Sequence, residues 1–449
     1  MAETDSKQSD GEAPLSIGRF LGRGASTSFV LQASAVVLNY VTNIVFARTL
    51  GVDDFGVFTY VTNWARIGGG ISHLSMASSG LRFVAEHSAA EDWPEVKGVI
   101  RTSRQLPVFL GGAAAVIGSV AILAVQGRTP ASVAMVLALW IIPTAGLIEM
   151  QETILQAYRL IFRAFFPWLV FQPIVAIALA LGALLFGVHV SASMAVAIML
   201  GSYVAALALQ GVWLHAAIPA EVHAAPAAYE YRAWTKVTAP IFLSNVVSIV
   251  FTRLDVVMVG IFLGAKEAGI YAVAMRAGNL AQIGQSSMAA IVSPRISHLY
   301  WANREDELQD LALTSVRWIF FPSVALTALM FLFANPILSV FGHAFIAGRW
   351  VLIWIALGQL VSVSSGPVGW LMNLTGRQNT AAKVFGATAA LTVVGYIVLI
   401  PWLGIVGAAI ANAAAIAVRN LVLSRFARRS LGYNVSVWAS LRRRHPEQA

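Results

Sequence analysis

Leu50-Gly51-Val52-Asp53-Asp54-Phe55-Gly56-Val57-Phe58 reads against Leu263-Gly264-Ala265-Lys266-Glu267-Ala268-Gly269-Ile270-Tyr271, 213 positions further along the chain. Each stretch joins two apolar segments of membrane length, and the same offset sets Arg82 opposite Arg295. A repeat of this period in so apolar a chain means two similar helix bundles side by side. That architecture suits the movement of a cargo across a bilayer between two halves.

The composition agrees. Of 449 residues, 58% are hydrophobic and 11% charged, with a mean hydropathy of +0.73, whereas soluble chains carry about 25% charged residues. A crossing helix needs roughly 20 apolar residues to cover about 30 Å of hydrocarbon, and roughly twelve such segments are present. The expected fold is therefore an all-α polytopic membrane protein of two pseudo-symmetric six-helix lobes. Residues 1–25 form a cytoplasmic tail, 26–217 the first lobe, 218–235 a connector, 236–428 the second lobe and 429–449 a basic tail. An even number of spans per lobe makes the repeat parallel, its axis along the membrane normal.

Residues 1–14 are polar and acidic and lack the basic start and cleavage site of a signal peptide. The chain has no cysteine, which excludes disulfides and thiolate metal sites. A net charge of +9 raises the question of nucleic acid. Lys and Arg, however, collect on alternate loops, so the charge is topological, no nucleic acid is implied and both termini fall on the cytoplasmic side. The outward loops are brief, leaving no soluble domain. Trp93-Pro94-Glu95-Val96-Lys97 and the segment from Glu305 to Leu311 read as short interfacial helices. Pro143, Pro167, Pro173, Pro240, Pro322, Pro367 and Gly68-Gly69-Gly70 read as interruptions of spans.

Ionisable residues at bilayer depth are expensive, so each invites a functional hypothesis. Arg66, Arg253, Arg276, Arg419 and Asp255 are such residues; Arg419 lies near enough to its span's end to snorkel. Polar side chains recur at helical spacing in repeat-related spans: Ser28, Gln32, Asn39 and Asn43; Thr59, Asn63, Arg66 and His73; Ser244, Ser248, Thr252 and Asp255; Arg276, Asn279, Gln282 and Ser286. The candidate cavity set is Arg66, Arg253, Arg276, Asn39, Asn43, Asn63, Asn279 and Gln282. Guanidinium forks suit phosphate or pyrophosphate, and amides suit sugar hydroxyls. The amides equally suit hydrogen bonding that glues helices together. Asp255, Glu149, Glu152 and His73 are candidate coupling or charge-pair residues, with H⁺ or Na⁺ as the coupling ion. Against that stand a satisfied Arg–Asp pair, interfacial glutamates and a packed polar histidine. No catalytic residue, metal site or other cofactor is expected.

At particular residues the chain resembles the polysaccharide (O-antigen and exopolysaccharide repeat-unit) flippases of the multidrug/oligosaccharidyl-lipid/polysaccharide (MOP) superfamily. These are Ala47-Arg48-Thr49-Leu50-Gly51 with Phe55-Gly56, and Arg253-Leu254-Asp255 with Gly260, Leu263-Gly264 and Gly269-Ile270-Tyr271. Leu155-Gln156-Ala157-Tyr158-Arg159 and Asn373-Leu374-Thr375-Gly376-Arg377 complete the set. The resemblance implies V-shaped six-helix lobes around a cavity that holds Arg66, Arg253, Asp255 and Arg276. It also implies transfer of undecaprenyl-pyrophosphate-linked oligosaccharide to the periplasmic leaflet of a bacterial inner membrane, for surface polysaccharide such as lipopolysaccharide or exopolysaccharide. Expected partners are that polyprenyl-pyrophosphate-linked glycan, the bilayer, a polysaccharide polymerase and a chain-length regulator. Two other readings stay open: a multidrug extruder of the same superfamily, whose cargo would want an acidic, aromatic cavity, and a glycosyltransferase or polymerase using Asp53-Asp54.

Overall fold

The computed structural model describes residues 13–282 and 304–431 other than Pro367 and Gly376, with scattered positions from 285 to 302 and residue 437. Residues 13–29 and a few later positions are described by backbone alone. The expected acidic tail, most of the basic tail, Pro367, Ser286 and the side chains of Ser28 and Ser244 lie outside the described residues.

Among the described residues every regular element is helical. Lipid offers the backbone no partners, so an apolar chain must close its hydrogen bonds within each segment. The elements are α1 (Ala13–Ser72), α2 (Met76–Ala89), α3 (Trp93–Leu106), α4 (Gly112–Gln126), α5 (Pro130–Leu139), α6 (Ile141–Ala157), α7 (Ile161–Phe166), α8 (Gln172–Leu185), α9 (Ala192–Ala217), α10 (Ala220–Ala224), α11 (Tyr231–Leu263) and α12 (Ala265–Gly278). After α12 come the long helices Glu305–Leu332, Arg349–Ser364 and Gln378–Leu431.

Among the described residues, eight continuous stretches are long and apolar enough to cross a membrane. Some of them hold more than one crossing. The 60 residues of α1 would reach about 90 Å if straight, three bilayer cores. The helix instead breaks at Gly51, whose φ of 71° and ψ of 180° are not helical. Gln378–Leu431, with 54 residues, breaks at Gly404 in the same way (φ 62°, ψ −144°). Both breaks fall where the sequence places a junction between two spans.

The chain forms two compact units, Met1–Thr49 with Val61–Val250, and Leu50–Tyr60 with Phe251–Ala449. In the first unit α9 packs against α5, α6 and α8, and α2 packs against α3 and α6. In the second, Arg349–Ser364 is central, touching α12, Glu305–Leu332 and Gln378–Leu431. The second unit also contains both members of the sequence repeat. Gly51 and Gly264 share one backbone conformation, with φ of 71° and 93°, which only glycine adopts without strain. Five residues on, the equivalent Gly56 and Gly269 meet: a Cβ on Gly56 would lie 2.3 Å from the Ala265 carbonyl oxygen, and one on Gly269 2.6 Å from Gly56 Cα. The equivalent Asp53 and Lys266 pair at 3.3 Å. Phe55 stands edge-on to Phe345, ring centroids 5.4 Å apart.

Several expected interruptions fall elsewhere. Gly68-Gly69-Gly70 stay helical; the break comes after Ser72, at Leu74 (φ 49°) and Ser75 (φ 61°). The segments at Trp93 and Glu305 are not separate interfacial helices. α3 runs through a π-helical turn, Pro107–Gly111, into α4, and Glu305 starts a 28-residue helix. Pro167 likewise opens a π-helical turn, Pro167–Phe171. In both turns proline withdraws a backbone donor, and the wider turn accommodates the loss. Pro143 lies in the first turn of α6, Pro173 near the start of α8, and Pro240 and Pro322 inside continuous helices.

Candidate functional site

The break between α1 and α2 sets the geometry of the site. Leu74 and Ser75 both take left-handed conformations, which cost non-glycine residues on the order of 1–3 kcal/mol each and persist only where the surroundings dictate them. Here hydrogen bonds do so. The Ser75 amide donates to His73 Nδ1 at 3.1 Å. Asn245 of α11 donates through Nδ2 to Ser75 Oγ at 3.1 Å and to Ser78 Oγ at 3.3 Å. One turn further, the Ser79 and Thr238 hydroxyls meet at 2.9 Å.

The Ser75 contact fixes the state of the histidine. An amide N–H can only donate, so Nδ1 must carry a lone pair, and the ring proton sits on Nε2. Nε2 in turn lies 2.5 Å from Glu149 Oε2, where it donates to the carboxylate. His73 is buried, at 4% exposure, while the Glu149 side chain is 52% exposed. The imidazole thus forms the dry end of the pair and the carboxylate the open end. Glu152, one turn along the same face of α6, accepts from Gln156 Nε2 at 3.0 Å.

His73, Glu149, Glu152 and Asn245 line one cavity of about 580 Å³, wholly within the first unit. Gln32, Ser78 and Thr153 add polar groups, and Trp168 and Phe165 supply aromatic wall. Carboxylates, amides and hydroxyls beside an aromatic face are the chemistry of saccharide recognition. The polar groups exchange hydrogen bonds with sugar hydroxyls, and the electron-rich ring face accepts the apolar C–H side of the sugar.

A second polar cluster is buried in the second unit. Asp255 is 3% exposed; its carboxylate accepts from the Val256 amide at 2.8 Å and from the Tyr271 hydroxyl at 3.4 Å. Nearby, Asn412 donates to the Tyr396 hydroxyl at 3.4 Å. The sequence set Asp255, Glu149, Glu152 and His73 therefore separates into two clusters, one per unit.

Of the expected cavity residues, Arg66, Arg253 and Arg276 are half-buried, and Arg253 and Arg276 have polar or electrostatic partners. Asn63 is buried and Gln282 exposed. Asn39 and Asn43 turn their amide donors onto their own helix, at Ala35 and Asn39 carbonyls. Asn279 accepts from Gln359 at 3.1 Å and so ties two helices together, the role of glue. None of these eight lines the 580 Å³ cavity. Asn245, Ser78, Trp168 and Tyr271 escaped the sequence reading. Asn245 sits one residue off the stripe chosen on α11, which turns it about 100° away from that stripe, and no spacing links Trp168 to Glu149.

Comparison with known proteins follows the same line. Residues 21–300 match the profile of the polysaccharide biosynthesis protein family, and 240–398 that of the MatE family. A probable low-salt glycan biosynthesis flippase from Haloferax volcanii is 24% identical over 208 residues, 44% of this chain and 43% of the relative, so under half of that protein is spanned. Among solved structures, the lipid II flippase MurJ in an inward closed conformation superposes with a TM-score of 0.69 at 15% identity, covering 89% of this chain and 87% of MurJ. An inward-facing MATE multidrug transporter gives 0.65 at 15% identity, covering 92% and 96%. A MOP superfamily transporter from Pyrococcus furiosus, described as having a binding pocket of reverse polarity, gives 0.60 at 14% identity, covering 92% and 95%. At these identities the structures establish the fold.

Proposed function

The chain belongs to the polysaccharide biosynthesis protein family, and we propose that it is a flippase that turns undecaprenyl-pyrophosphate-linked oligosaccharide from the cytoplasmic to the periplasmic leaflet by alternating access. The observation that carries this reading is the cavity of the first unit, where Glu149, Glu152, Asn245 and Gln32 face Trp168. It offers hydrogen bonds and an aromatic face to a sugar. Arg66, Arg253 and Arg276 are the groups suited to the pyrophosphate, whose paired oxygens match a guanidinium fork. Two of the matched relatives are named as a probable glycan biosynthesis flippase and a lipid II flippase.

Moving a charged headgroup in one direction needs two conformers whose populations a ligand or ion biases differently. His73 and Glu149 are the coupling pair in this scheme. With Nδ1 occupied by the Ser75 amide, a proton arriving from the cavity goes to the exposed carboxylate, and its arrival removes the charge that accepts from Nε2. Asp255, buried against Val256 and Tyr271, is the candidate coupling carboxylate of the second unit.

A flippase-null strain carrying Trp168→Ala with Glu149→Gln is expected to lose surface polysaccharide while membrane levels of the protein stay normal. Undiminished surface glycan from that double variant overturns the assignment of the cavity. One observation favours a second reading, extrusion of organic cations: two glutamates and two aromatic side chains line the cavity, and no arginine does. Expression in a drug-sensitive host separates the readings, since an extruder raises resistance to cationic dyes and a flippase leaves it unchanged.

A further inference from the structure

A second concavity of the first unit, about 690 Å³, lies between α3, the π-helical turn that follows it, α6, α9 and the connector after α9. Its wall changes character along one helix face. Arg101, Arg104 and Gln105 give way to Val108 and Phe109 over eight residues, about 12 Å. The two apolar residues are 47% and 68% exposed. A face that turns from cationic to apolar over that distance matches the profile of a phospholipid, from phosphate to acyl chain.

Both arginines are exposed, and neither has an ion-pair partner among the described residues. Lys97 adds positive charge, but two of its three N–H donors are committed to the His223 and Ala225 carbonyl oxygens at 2.7 and 2.6 Å. The floor supplies an independent observation. Gln151 is 3% exposed, and its Oε1 finds no hydrogen-bond donor among the described residues. Opposite it stands Gly211, where a Cβ would lie 3.6 Å from Gln151 Nε2, so the glycine leaves the floor open. A buried acceptor without a donor is destabilising, and a ligand hydroxyl would satisfy it.

We infer that this groove binds an anionic phospholipid with a hydroxylated headgroup, of the phosphatidylglycerol type, from the leaflet that the basic loops face. Arg101 and Arg104 take the phosphate, the headgroup hydroxyl reaches Gln151, and an acyl chain lies along Val108 and Phe109. Charge complementarity selects the anionic lipid over a zwitterionic one, each cation near the surface contributing about fivefold in affinity. The site is independent of the cargo and stands whether or not the chain moves a glycan. Its occupant would brace the connector, which Lys97 and a bond from the Ala228 amide to the Pro94 carbonyl at 2.9 Å already clamp to α3.

The test is native mass spectrometry and thermal unfolding of the purified full chain in detergent, with phosphatidylglycerol, phosphatidylcholine or glycerol 3-phosphate added. Wild type should retain phosphatidylglycerol preferentially and unfold at a higher temperature with it. Arg101→Gln with Arg104→Gln should weaken that binding roughly 30-fold and leave unfolding in detergent alone unchanged. If the double variant misfolds, Gly211→Leu, which fills the floor and leaves both arginines, must show the same loss. Equal retention of the two lipids overturns the proposal. So does undiminished phosphatidylglycerol binding by a folded variant, or glycerol 3-phosphate binding as tight as the lipid's, which would mark a site for a soluble anion.

Discussion

At the scale of single residues, His73 holds both ends of a short relay, and its replacements separate structure from coupling. Alanine removes the acceptor of the Ser75 amide and the donor to Glu149 together. Leaving a buried N–H without a partner costs about 1–3 kcal/mol, at a turn that already stores left-handed strain at Leu74 and Ser75. His73→Ala should therefore lower the unfolding temperature measurably and abolish transport. His73→Gln keeps a donor for Glu149 and, because the carboxylate is the group that takes the proton in this scheme, should restore much of the stability and of the transport. Thermal unfolding and transport in proteoliposomes decide the matter: transport lost in a His73→Gln protein as stable as wild type would make the imidazole ring itself part of the coupling path.

Between elements, the repeat-related tips show which interaction dominates. Asp53 and Lys266 face each other with side chains 75% and 53% exposed, and an ion pair so exposed contributes at most about 1 kcal/mol. The Gly56–Gly269 approach is backbone against backbone and cannot relax by rotating a side chain. Gly269→Ala should destabilise the protein by about 1–3 kcal/mol, as overpacking does, and Asp53→Ala by less than about 1 kcal/mol. Thermal unfolding of the two variants gives the ranking, and the reverse order would show that the contact is electrostatic. These tips were legible in the sequence because glycine at positive φ and glycine at close approach leave a repeating pattern, and the spans because lipid demands long apolar runs. The α1–α2 break was not. Leu74 and Ser75 carry no breaker residue, and their conformation depends on Asn245, some 170 positions away. The π-helical turn at Pro107 was missed for a related reason, since its proline sits in what reads as unbroken apolar sequence. The site was legible in part. His73, Glu149, Glu152 and Gln32 stood out as polar residues in apolar spans, but their convergence rests on the packing of α1, α2, α6 and α11. Of the amides chosen as cavity lining by the same periodicity, Asn39 and Asn43 bond their own helix and Asn279 a neighbouring one.

For the molecule as a whole, the repeat poses a constraint that a static bundle would not need. Equivalent positions 53 and 266 carry opposite charges and meet, and equivalent positions 56 and 269 are both glycine and touch. A contact built from both copies of a repeat is one that a single mutation cannot optimise on both sides at once. The charged part of the contact is exposed and weakly paired, which fits a contact that opens and closes. If transport proceeds by alternating access, the tip from Leu50 to Tyr60 has to leave the tip at Ala265 once in each cycle. The chain has no native cysteine, so Asp53→Cys with Lys266→Cys introduces a single pair of thiols. Bridging them with a short, reducible thiol-to-thiol reagent should abolish transport, and reduction should restore it. Each single-cysteine variant treated in the same way should remain active, because removing the exposed ion pair alone costs little. Transport at the untreated rate after complete bridging would mean that the tips stay together throughout, and the cycle would have to run without separating them.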